Sequence, residues 1–505
     1  MSKIVFVNPT VDKYSTIKLC TFEVFDHING KKMSMIPKLA PMVLAAVTPQ
    51  KHNFTYIDED IEELDIDNTD ADLVALTAVT AQANRAYEIA AGFRKRGIKV
   101  AIGGIHASVL PDEALRYADS VFIGESENSW IAMLEDFEAG SMNQRYEAKD
   151  YPPVEKLVSP RVDIIKHDQY LMFPLMATKG CPYDCEFCSI KFSSGNKMRM
   201  KPVEQVMEEI DAFEKHNTGL LRKTYQFNDD NLYVNRDYTI KLFKALKEKN
   251  IFWHGQGTMN TAKDDEVLHL MYESGCRIYS IGLESISETC LKEVNKTKTN
   301  KIAEYEEALK NLTRHGIHPS AFFIFGFDGD NKTVFKETMG FIEKNRIISP
   351  FFSILTPYPG TRLYDRLEPR IIDRDWASYN VTQCVFTPAL MTPDELNEGA
   401  YWACYMAGRM ETVKKNKQYM WRHKPDDIRK PMRFRERLIL LGVALKLLQK
   451  KEYRKYAKFV LWAAMNRHAE DISLILAIVA FDKMTEMNFE QSALQFELRS
   501  PSDEQ

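Results

Sequence analysis

Short apolar runs alternate with helical patterns through the first 140 residues. The runs are nearly continuous in hydrophobicity, which is typical of parallel strands that are covered on both faces. They occupy residues 4–8, 54–58, 73–77, 99–103 and 120–123. Residues 81–96 between them show the period of an amphipathic helix that Gly97 stops. The pattern predicts a doubly wound, Rossmann-like α/β domain over 1–140, whose ligands lie at the carboxyl ends of the strands.

A second strand and helix alternation repeats about six times between residues 173 and 356. Its predicted strands are residues 173–178, 224–228, 251–256, 278–282, 320–325 and 351–356. Functional groups of such repeats gather where the strands end. The stretch 141–170 carries prolines and little periodicity, so it is predicted to be a linker.

One stretch between the predicted strands 173–178 and 224–228 contains candidate functional residues. Lys179–Ser189 reads KGCPYDCEFCS and places Cys181, Cys185 and Cys188 in a Cys-x3-Cys-x2-Cys array. Three thiolates can hold three corners of a 4Fe-4S cluster and leave the fourth iron open, whereas ferredoxins close all four corners. The alternatives are a zinc knuckle, which requires a further ligand, and a chance group of buried thiols.

The array resembles that of the radical S-adenosylmethionine (SAM) superfamily, which usually has an aromatic residue where Phe187 stands. The resemblance implies that Cys181, Cys185 and Cys188 ligate the cluster and that SAM fills the open iron. Reduction by an external donor such as flavodoxin or ferredoxin would cleave SAM to a 5′-deoxyadenosyl radical. It also implies a partial (βα)6 barrel over 171–361 with an extension over 362–411.

The first 140 residues resemble the cobalamin-binding domain that precedes the barrel in one subgroup of this superfamily. The phrases that carry the resemblance are GGIHA at 103–107, with Gly104 and His106, and IGE at 123–125. The signature Asp-x-His-x-x-Gly is missing, because FDHING at 25–30 has its Asp one place too close to the His. Cobalamin is therefore an expected cofactor without a histidine ligand, and the alternative is a retained scaffold. For His106 the alternative is a turn histidine that bonds within the domain.

Acidic residues follow two of the later predicted strands. Asp229 and Asp230 follow the second strand, where carboxylates can pair with the SAM amine or ribose; the alternative is that they cap the next helix. Glu284 follows the fourth strand and resembles the ribose-contacting acid of the family.

The loop after the fifth strand reads FGFDGD. Gly326 allows close backbone approach to a ligand such as adenine, and Asp328 is a neighbouring cofactor candidate. Asp330 can instead cap the following helix.

Composition excludes several classes of protein. The 505 residues are 45% hydrophobic and 27% charged with a net charge of −4, which indicates neither disorder nor a chain that binds nucleic acid globally. Eight cysteines with three in one array favour a reducing compartment. The N-terminus shows no secretory signal, and the apolar runs at 438–448 and 472–481 are too short to span a bilayer. We expect a cytoplasmic protein.

The tail differs from the rest of the chain. Residues 409–458 hold 17 Lys and Arg against 5 Asp and Glu, interleaved with aromatic and apolar residues. The stretch 412–505 is predicted to be a basic helical domain, and 412–465 can contact an anionic membrane surface. A helical bundle with a solvated basic face is the alternative. No nucleic-acid partner is expected, since no RNA-binding module follows the barrel.

These observations predict a radical SAM enzyme that abstracts hydrogen from an unactivated C–H bond of a hydrophobic small molecule or lipid. Methyl transfer follows if cobalamin is bound. The alternatives are a cyclase, oxidase or C–C coupling enzyme without cobalamin, a binding subunit that does not turn SAM over, and a non-catalytic iron-sulfur electron carrier. A methylthiotransferase acting on tRNA is disfavoured, because only Cys20 precedes Cys181.

Overall fold

The computed structural model describes residues 2–11, 26–27, 30–148, 158–218, 223–408 and 434–465. Their contacts divide the chain into two compact units. The first unit comprises the described residues within 1–15, 34–234 and 356–380. The second comprises those within 16–33, 235–355 and 381–505.

The N-terminal part of the first unit is the predicted doubly wound domain. Six parallel strands form one sheet in the order β2-β1-β3-β4-β5-β6. The elements are β1 (Lys3–Asn8), α1 (Leu39–Val47), β2 (Asn53–Asp58), β3 (Leu73–Thr77), α2 (Ala83–Lys95), β4 (Lys99–Gly103), α3 (Ile105–Val109), α4 (Pro111–Ala114), β5 (Ser120–Ile123), α5 (Glu127–Glu138) and β6 (Arg145–Glu147). The last strand lies within the stretch predicted to be a linker.

The helix α2 shows why this domain folds. Its residues Ala83, Ala86, Ala90 and Phe93 are buried on one face, at the spacing of an amphipathic helix. They join the apolar side chains of β1, β3, β4 and β5 in one core. Because those strands are covered on both faces, their sequences are continuously apolar.

The remainder of the first unit up to residue 234 begins the second repeat. Strands β7 and β10 are parallel neighbours, and the short strands β8 and β9 form an antiparallel pair around the cysteine loop. The elements are β7 (Phe173–Leu175), β8 (Thr178–Lys179), α6 (Ile190–Ser193), β9 (Arg199–Met200), α7 (Val203–His216) and β10 (Thr224–Phe227). The predicted strand 173–178 is therefore two strands.

Four parallel strands of the same repeat lie in the second unit, where they pair in the order β11-β12-β13-β14. Together with β7 and β10 they make the six strands that the periodicity predicts. The elements are α8 (Arg236–Lys249), β11 (Phe252–Gly257), α9 (Asp265–Glu273), β12 (Cys276–Glu284), α10 (Glu288–Glu293), α11 (Tyr305–Arg314), β13 (His318–Phe325), α12 (Val334–Asn345) and β14 (Ser349–Ile354).

The rest of the described chain consists of helices and irregular segments. It contains α13 (Arg362–Leu367) in the first unit, and α14 (Pro393–Gly408), α15 (Phe434–Leu448) and α16 (Arg454–Met465) in the second. None of the helices in the described ranges has the length and apolar character that crossing a bilayer requires. Much of the predicted basic tail, including 409–433 and everything after 465, lies outside the described residues.

Candidate functional site

A cavity of about 240 Å³ opens at the carboxyl ends of the parallel strands in the first unit. We call it the strand-end cavity. Its walls come from α1, from the ends of β3, β4 and β5 with the residues that follow them, from the start of α5, and from Met176 and Lys179. Ligands of doubly wound sheets bind at this edge, so the cavity lies where the fold predicts a ligand.

Gly104 lines this cavity in a conformation that only glycine tolerates well. Its φ is +93°, and an added Cβ would stand 2.6 Å from the carbonyl oxygen of Ala78. With Gly103 and Gly124, it exposes backbone beside apolar walls. This combination fits a corrinoid, which has apolar ring faces and an amide-bearing rim. The cavity is too small to enclose a whole corrinoid, so it can hold only part of one.

His106 does not belong to the described lining of the cavity. Its side chain is 1% exposed, and Nε2 lies 3.1 Å from the Tyr87 hydroxyl and 3.3 Å from the Glu113 carboxylate. Its ring packs against that of Trp376, with the centroids 5.2 Å apart. These contacts match the alternative of a histidine that bonds within the domain, and they give no support to the predicted contact of His106 with a cofactor.

Two acidic residues hold the start of the cysteine loop, residues 180–198, which we call the cluster loop. The Asp229 carboxylate is fully buried and accepts hydrogen bonds from the backbone N–H groups of Ala177 and Thr178 and from the Thr178 hydroxyl. Asp230 accepts from the N–H of Gly180 at 2.9 Å. Burial raises the pKa of Asp229 to about 7, although its hydrogen bonds favour the charged form.

These contacts change the interpretation of both acids. The alternative of a helix cap is wrong, because α8 is capped by the Asn235 side chain, which accepts from the N–H of Tyr238. Both carboxylates bond the backbone that leads into the cluster loop, and their contact with SAM stays a prediction. The sequence showed the acids but not their partners about 50 residues away.

The three cysteines themselves lie in the cluster loop and are partly exposed, as is Phe187. Within the described ranges, no three His, Cys, Asp or Glu side chains converge on a position for a single metal ion. The donor set fits a 4Fe-4S cluster, since three thiols within eight residues can each take one corner.

The cluster loop is also held by a residue that sequence reasoning missed. Arg362, the first residue of α13, donates to the Asp184 carboxylate at 2.6 Å and to the Asp184 carbonyl at 2.8 Å. The next backbone N–H, that of Leu363, donates to the carbonyl of Glu186. Asp184 and Glu186 lie between the three cysteines in the sequence. Both are held by the start of α13, almost 180 positions later in the chain.

In the second unit, Glu284 ends β12 in an unusual backbone conformation. Its φ is +62°, and the pairing of β12 with β13 shifts register between Gly282 and Glu284. Its carboxylate is 2.9 Å from Nζ of Lys296. A non-glycine residue in this region requires support from its surroundings and often marks a functional site.

Two side chains provide that support. Asn300 donates to the carbonyls of Gly282 and Leu283, and the Tyr305 hydroxyl donates to the carbonyls of Leu283 and Ser285. Both side chains follow Glu284 in the sequence, but no local pattern marks them. The contact of Glu284 with SAM stays a prediction.

The loop after β13 is closed by Asp330. Its carboxylate accepts from the N–H groups of Gly326 and Phe327 at 2.9 and 3.1 Å and from the Cys290 thiol. Asp330 thus caps its own loop, whereas α12 begins after Thr333. Burial raises the pKa of Asp330 to about 6.

Gly326 has a packing reason for being glycine. Its φ is +106°, and an added Cβ would lie 2.8 Å from Cδ2 of Leu396. Asp328 is partly buried and donates its backbone N–H to Glu293 at 3.0 Å. The predicted roles of Gly326 and Asp328 at a cofactor stay predictions.

Fold and site together define a class: a Rossmann-like domain with a strand-end cavity, followed by six strand and helix repeats with a three-thiol loop after the first strand. Comparison with known proteins agrees. The sequence matches the family described as "Radical SAM superfamily" over residues 175–342 and the "B12 binding domain" over residues 36–133.

Curated relatives and solved structures cover most of the chain. The bacteriochlorophyllide d C-12(1)-methyltransferase of Chlorobaculum tepidum is 32% identical over 363 residues, 71% of this chain and 79% of that protein. The hopanoid C-2 methylase of Rhodopseudomonas palustris is 28% identical over 72% of this chain and 71% of its own length. The structure of the cobalamin-dependent SAM radical enzyme OxsB has a TM-score of 0.62 at 14% identity and covers 99% of this chain and 80% of that chain.

The chain therefore belongs to the radical SAM superfamily and carries a B12-binding domain. It is an enzyme whose cofactors are a 4Fe-4S cluster, SAM and cobalamin. The predicted family, fold class and cofactors are confirmed, and a small-molecule substrate is consistent with the relatives.

Proposed function

We propose that this enzyme transfers a methyl group to an unactivated carbon of a hydrophobic small molecule. One observation carries the proposal: Lys179, two residues before the first array cysteine, also lines the strand-end cavity. The sites that fit the corrinoid and the cluster thus meet within one unit. When bound, the cluster supplies the electron that cleaves SAM, and cobalamin supplies the methyl group.

The chain contributes binding and position. Cys181, Cys185 and Cys188 would hold the cluster, and Asp229 and Asp230 hold the backbone that enters the cluster loop. The apolar walls of the strand-end cavity would shield the bound part of a corrinoid from water.

The substrate class follows from the relatives and remains our proposal. The bacteriochlorophyllide and hopanoid methyltransferases act, by their names, on large hydrophobic ring systems. A hydrophobic polycyclic compound or a lipid of this kind is therefore the substrate we propose for this chain.

The test is an anaerobic assay on protein reconstituted with iron, sulfide and hydroxocobalamin, with reduced flavodoxin or ferredoxin as the electron donor. Bacteriochlorophyllides and hopanoids serve as trial substrates, and the products are 5′-deoxyadenosine, S-adenosylhomocysteine and a singly methylated compound.

Cys185→Ala should abolish all three products. Cys404→Ala is the matched control, because this thiol lies in α14 outside the array and burial raises its pKa to about 12. Formation of 5′-deoxyadenosine without S-adenosylhomocysteine would point to the cyclase or coupling alternatives, and no SAM cleavage at all would contradict the proposal.

We also propose peripheral contact with an anionic membrane through α15. The described part of this helix exposes a stripe of four leucines at spacings of three and four, which is one helix face. Leu438, Leu441, Leu445 and Leu448 are 51%, 37%, 64% and 39% exposed. Lysine 446 within the helix and lysines 450 and 451 just after it are also exposed, and a surface that meets anionic lipid combines such cations with apolar side chains.

Vesicle flotation tests this contact. The protein should float with vesicles of phosphatidylglycerol and phosphatidylcholine but not with phosphatidylcholine alone, and Leu445→Glu should abolish flotation. Ile372→Glu is the control, because Ile372 is 57% exposed but lies in the first unit. Equal flotation of both variants would contradict the contact.

A further inference from the structure

Four charged side chains connect the wall of the strand-end cavity to the cluster loop, all within the first unit. Nζ of Lys179 lies 2.8 Å from Glu127 and 3.4 Å from Glu125. Arg199 donates to both carboxylate oxygens of Glu125, at 2.9 and 2.5 Å. The two cations and two anions neutralise each other, and we call them the bridging network.

The bridging network is shielded from solvent. The side chains of Glu125, Arg199, Lys179 and Glu127 are 4%, 10%, 15% and 16% exposed. Charges in such surroundings interact more strongly than exposed ion pairs, and breaking one pair leaves the partner poorly solvated. The network therefore has a defined geometry that a change at either end would disturb.

Both ends of the cluster loop are attached to this network. Lys179 is the last residue of β8 and Arg199 is the first of β9, and the two residues pair across the antiparallel ribbon. Arg199 also donates to the carbonyl of Ser194 inside the loop at 2.9 Å. Two of the residues that position the loop, Lys179 and Arg199, are thus the partners of Glu125 and Glu127.

The other end of the network lies in the cavity. Glu125, Glu127 and Lys179 all line the strand-end cavity, where they follow the carboxyl end of β5 or precede the cluster loop. A molecule that fills the cavity contacts these side chains directly. Its binding restricts the conformations of Glu125, Glu127 and Lys179. Because these side chains are ion-paired within the bridging network, the restriction extends to the cluster loop.

We propose that Glu127 and Lys179 are positioning residues that couple the filling of the strand-end cavity to the order of the cluster loop. The inference rests on the proposed function for the occupant of the cavity, a corrinoid. Coupling between two binding sites is reciprocal. A corrinoid in the cavity therefore favours a loop that is arranged for the cluster, and the cluster favours corrinoid binding.

The experiment measures this coupling as a ratio of affinities and does not require turnover. Hydroxocobalamin is titrated by equilibrium dialysis into protein with and without the reconstituted cluster, and bound cobalt is determined by elemental analysis. We expect hydroxocobalamin to bind the cluster-loaded wild type about tenfold more tightly than the cluster-free protein, within the usual range of coupling between sites.

Lys179→Met and Glu127→Gln should each reduce this ratio to within about twofold of unity, since each removes one charge of the pair. Two variants are used so that poor folding of one leaves the other as a test. Lys166→Met is the matched control, because Lys166 forms an ion pair with Glu62 in the same unit but does not line the cavity. It should keep the wild-type ratio.

The inference is overturned if the wild type shows no difference in affinity, if both variants keep the full ratio, or if Lys166→Met loses it as well. Its failure is distinguishable from failure of the proposed function. Methyl transfer without coupling contradicts only the inference, and coupling without methyl transfer contradicts only the proposed function. A wild type that binds no hydroxocobalamin contradicts both.

Discussion

Single residues at the entrance to the cluster loop show how strongly local geometry constrains this site. Gly180 has a φ of +88°, and an added Cβ would stand 2.4 Å from the carbonyl oxygen of Lys197. Its N–H is held by Asp230. Only glycine fits at position 180, because a side chain there would collide with the backbone at the other end of the cluster loop. The position of Cys181, the next residue, depends on this glycine.

Gly180→Ala should lose cluster binding. The left-handed conformation costs about 1–2 kcal/mol with a side chain, and the clash with Lys197 adds about 1–3 kcal/mol. Iron retained after reconstitution measures the effect. Gly97→Ala is the control, because Gly97 has a φ of +79° but no atom within 4 Å of an added Cβ. It should lower thermal stability and keep its iron; equal iron in both variants would refute the prediction.

Asp330 should make stability depend on pH. Its pKa is about 6 in the folded protein and about 4 in an unfolded chain. Between these values the folded protein keeps a proton that the unfolded chain has released. The stabilising contribution is complete below about pH 4 and falls as the pH rises to about 6, by about 3 kcal/mol.

Calorimetry of Asp330→Asn tests this dependence, since Asn cannot release a proton. Relative to the variant, the wild type should lose stability as the pH rises from about 4 to 7. The neighbouring substitution Asp328→Asn should leave the wild-type slope unchanged. Parallel unfolding midpoints for wild type and Asp330→Asn would show that Asp330 does not titrate in this range.

At the scale of an element, the end of β12 is shaped by a helix that follows it. Asn300 precedes α11, and Tyr305 is the first residue of that helix. Their side chains bond the carbonyls of residues 282, 283 and 285 and so keep Glu284 at positive φ. The direction of the Glu284 carboxylate is thus a property of the strand and helix together.

Asn300→Ala should destabilise the protein by about 1–3 kcal/mol, because it removes the side-chain donor that the carbonyls of Gly282 and Leu283 share. If Glu284 contacts SAM, the dissociation constant of SAM for the reconstituted enzyme should also rise, by about tenfold. Asn311→Ala is the matched control, since Asn311 also donates to two oxygens, those of the Ala262 carbonyl and the Asp265 carboxylate, which precede β12. Similar SAM affinity in both variants would argue against a role for Glu284 in binding SAM.

At the scale of the whole molecule, the chain returns to the first unit after the six repeats. Residues 356–380 belong to that unit, and within them Nε1 of Trp376 donates to the Glu113 carboxylate at 2.8 Å. Burial alone would raise the pKa of Glu113, but hydrogen bonds from His106, Tyr87 and Trp376 outweigh it and keep the pKa below its usual value. The B12-binding domain is thus completed by residues more than 200 positions beyond its last strand.

Trp376→Phe should lower stability by about 1–3 kcal/mol at pH 7, since it removes a donor to a charged acceptor. The loss should shrink as the pH falls through the lowered pKa of Glu113 in the folded protein, because a group with a lowered folded pKa loses its stabilising contribution as the pH falls. Trp130→Phe is the control, because Trp130 donates to the neutral hydroxyl of Thr48. Equal pH dependence of both variants would contradict the prediction.

Much of the fold could be predicted from the sequence because the signals are local. The strands of the first domain are mostly continuous apolar runs, and all five that were predicted occur with nearly the predicted bounds. The array at Cys181, Cys185 and Cys188 indicated the family for the same reason, since three candidate cluster ligands lie within eight consecutive residues.

Only the tertiary structure decided what the polar residues around the array contact. The sequence shows Asp229 and Asp230 as two acids after a strand, a pattern equally typical of ligand contact and of helix capping, but folding turns them to the cluster loop. The bond of Arg362 to Asp184 likewise joins residues 178 positions apart, and the ion pairs of the bridging network join residues 52 to 74 positions apart. A hydrogen bond depends on distance in space, whereas the periodicity of a sequence reports only which face of an element is buried.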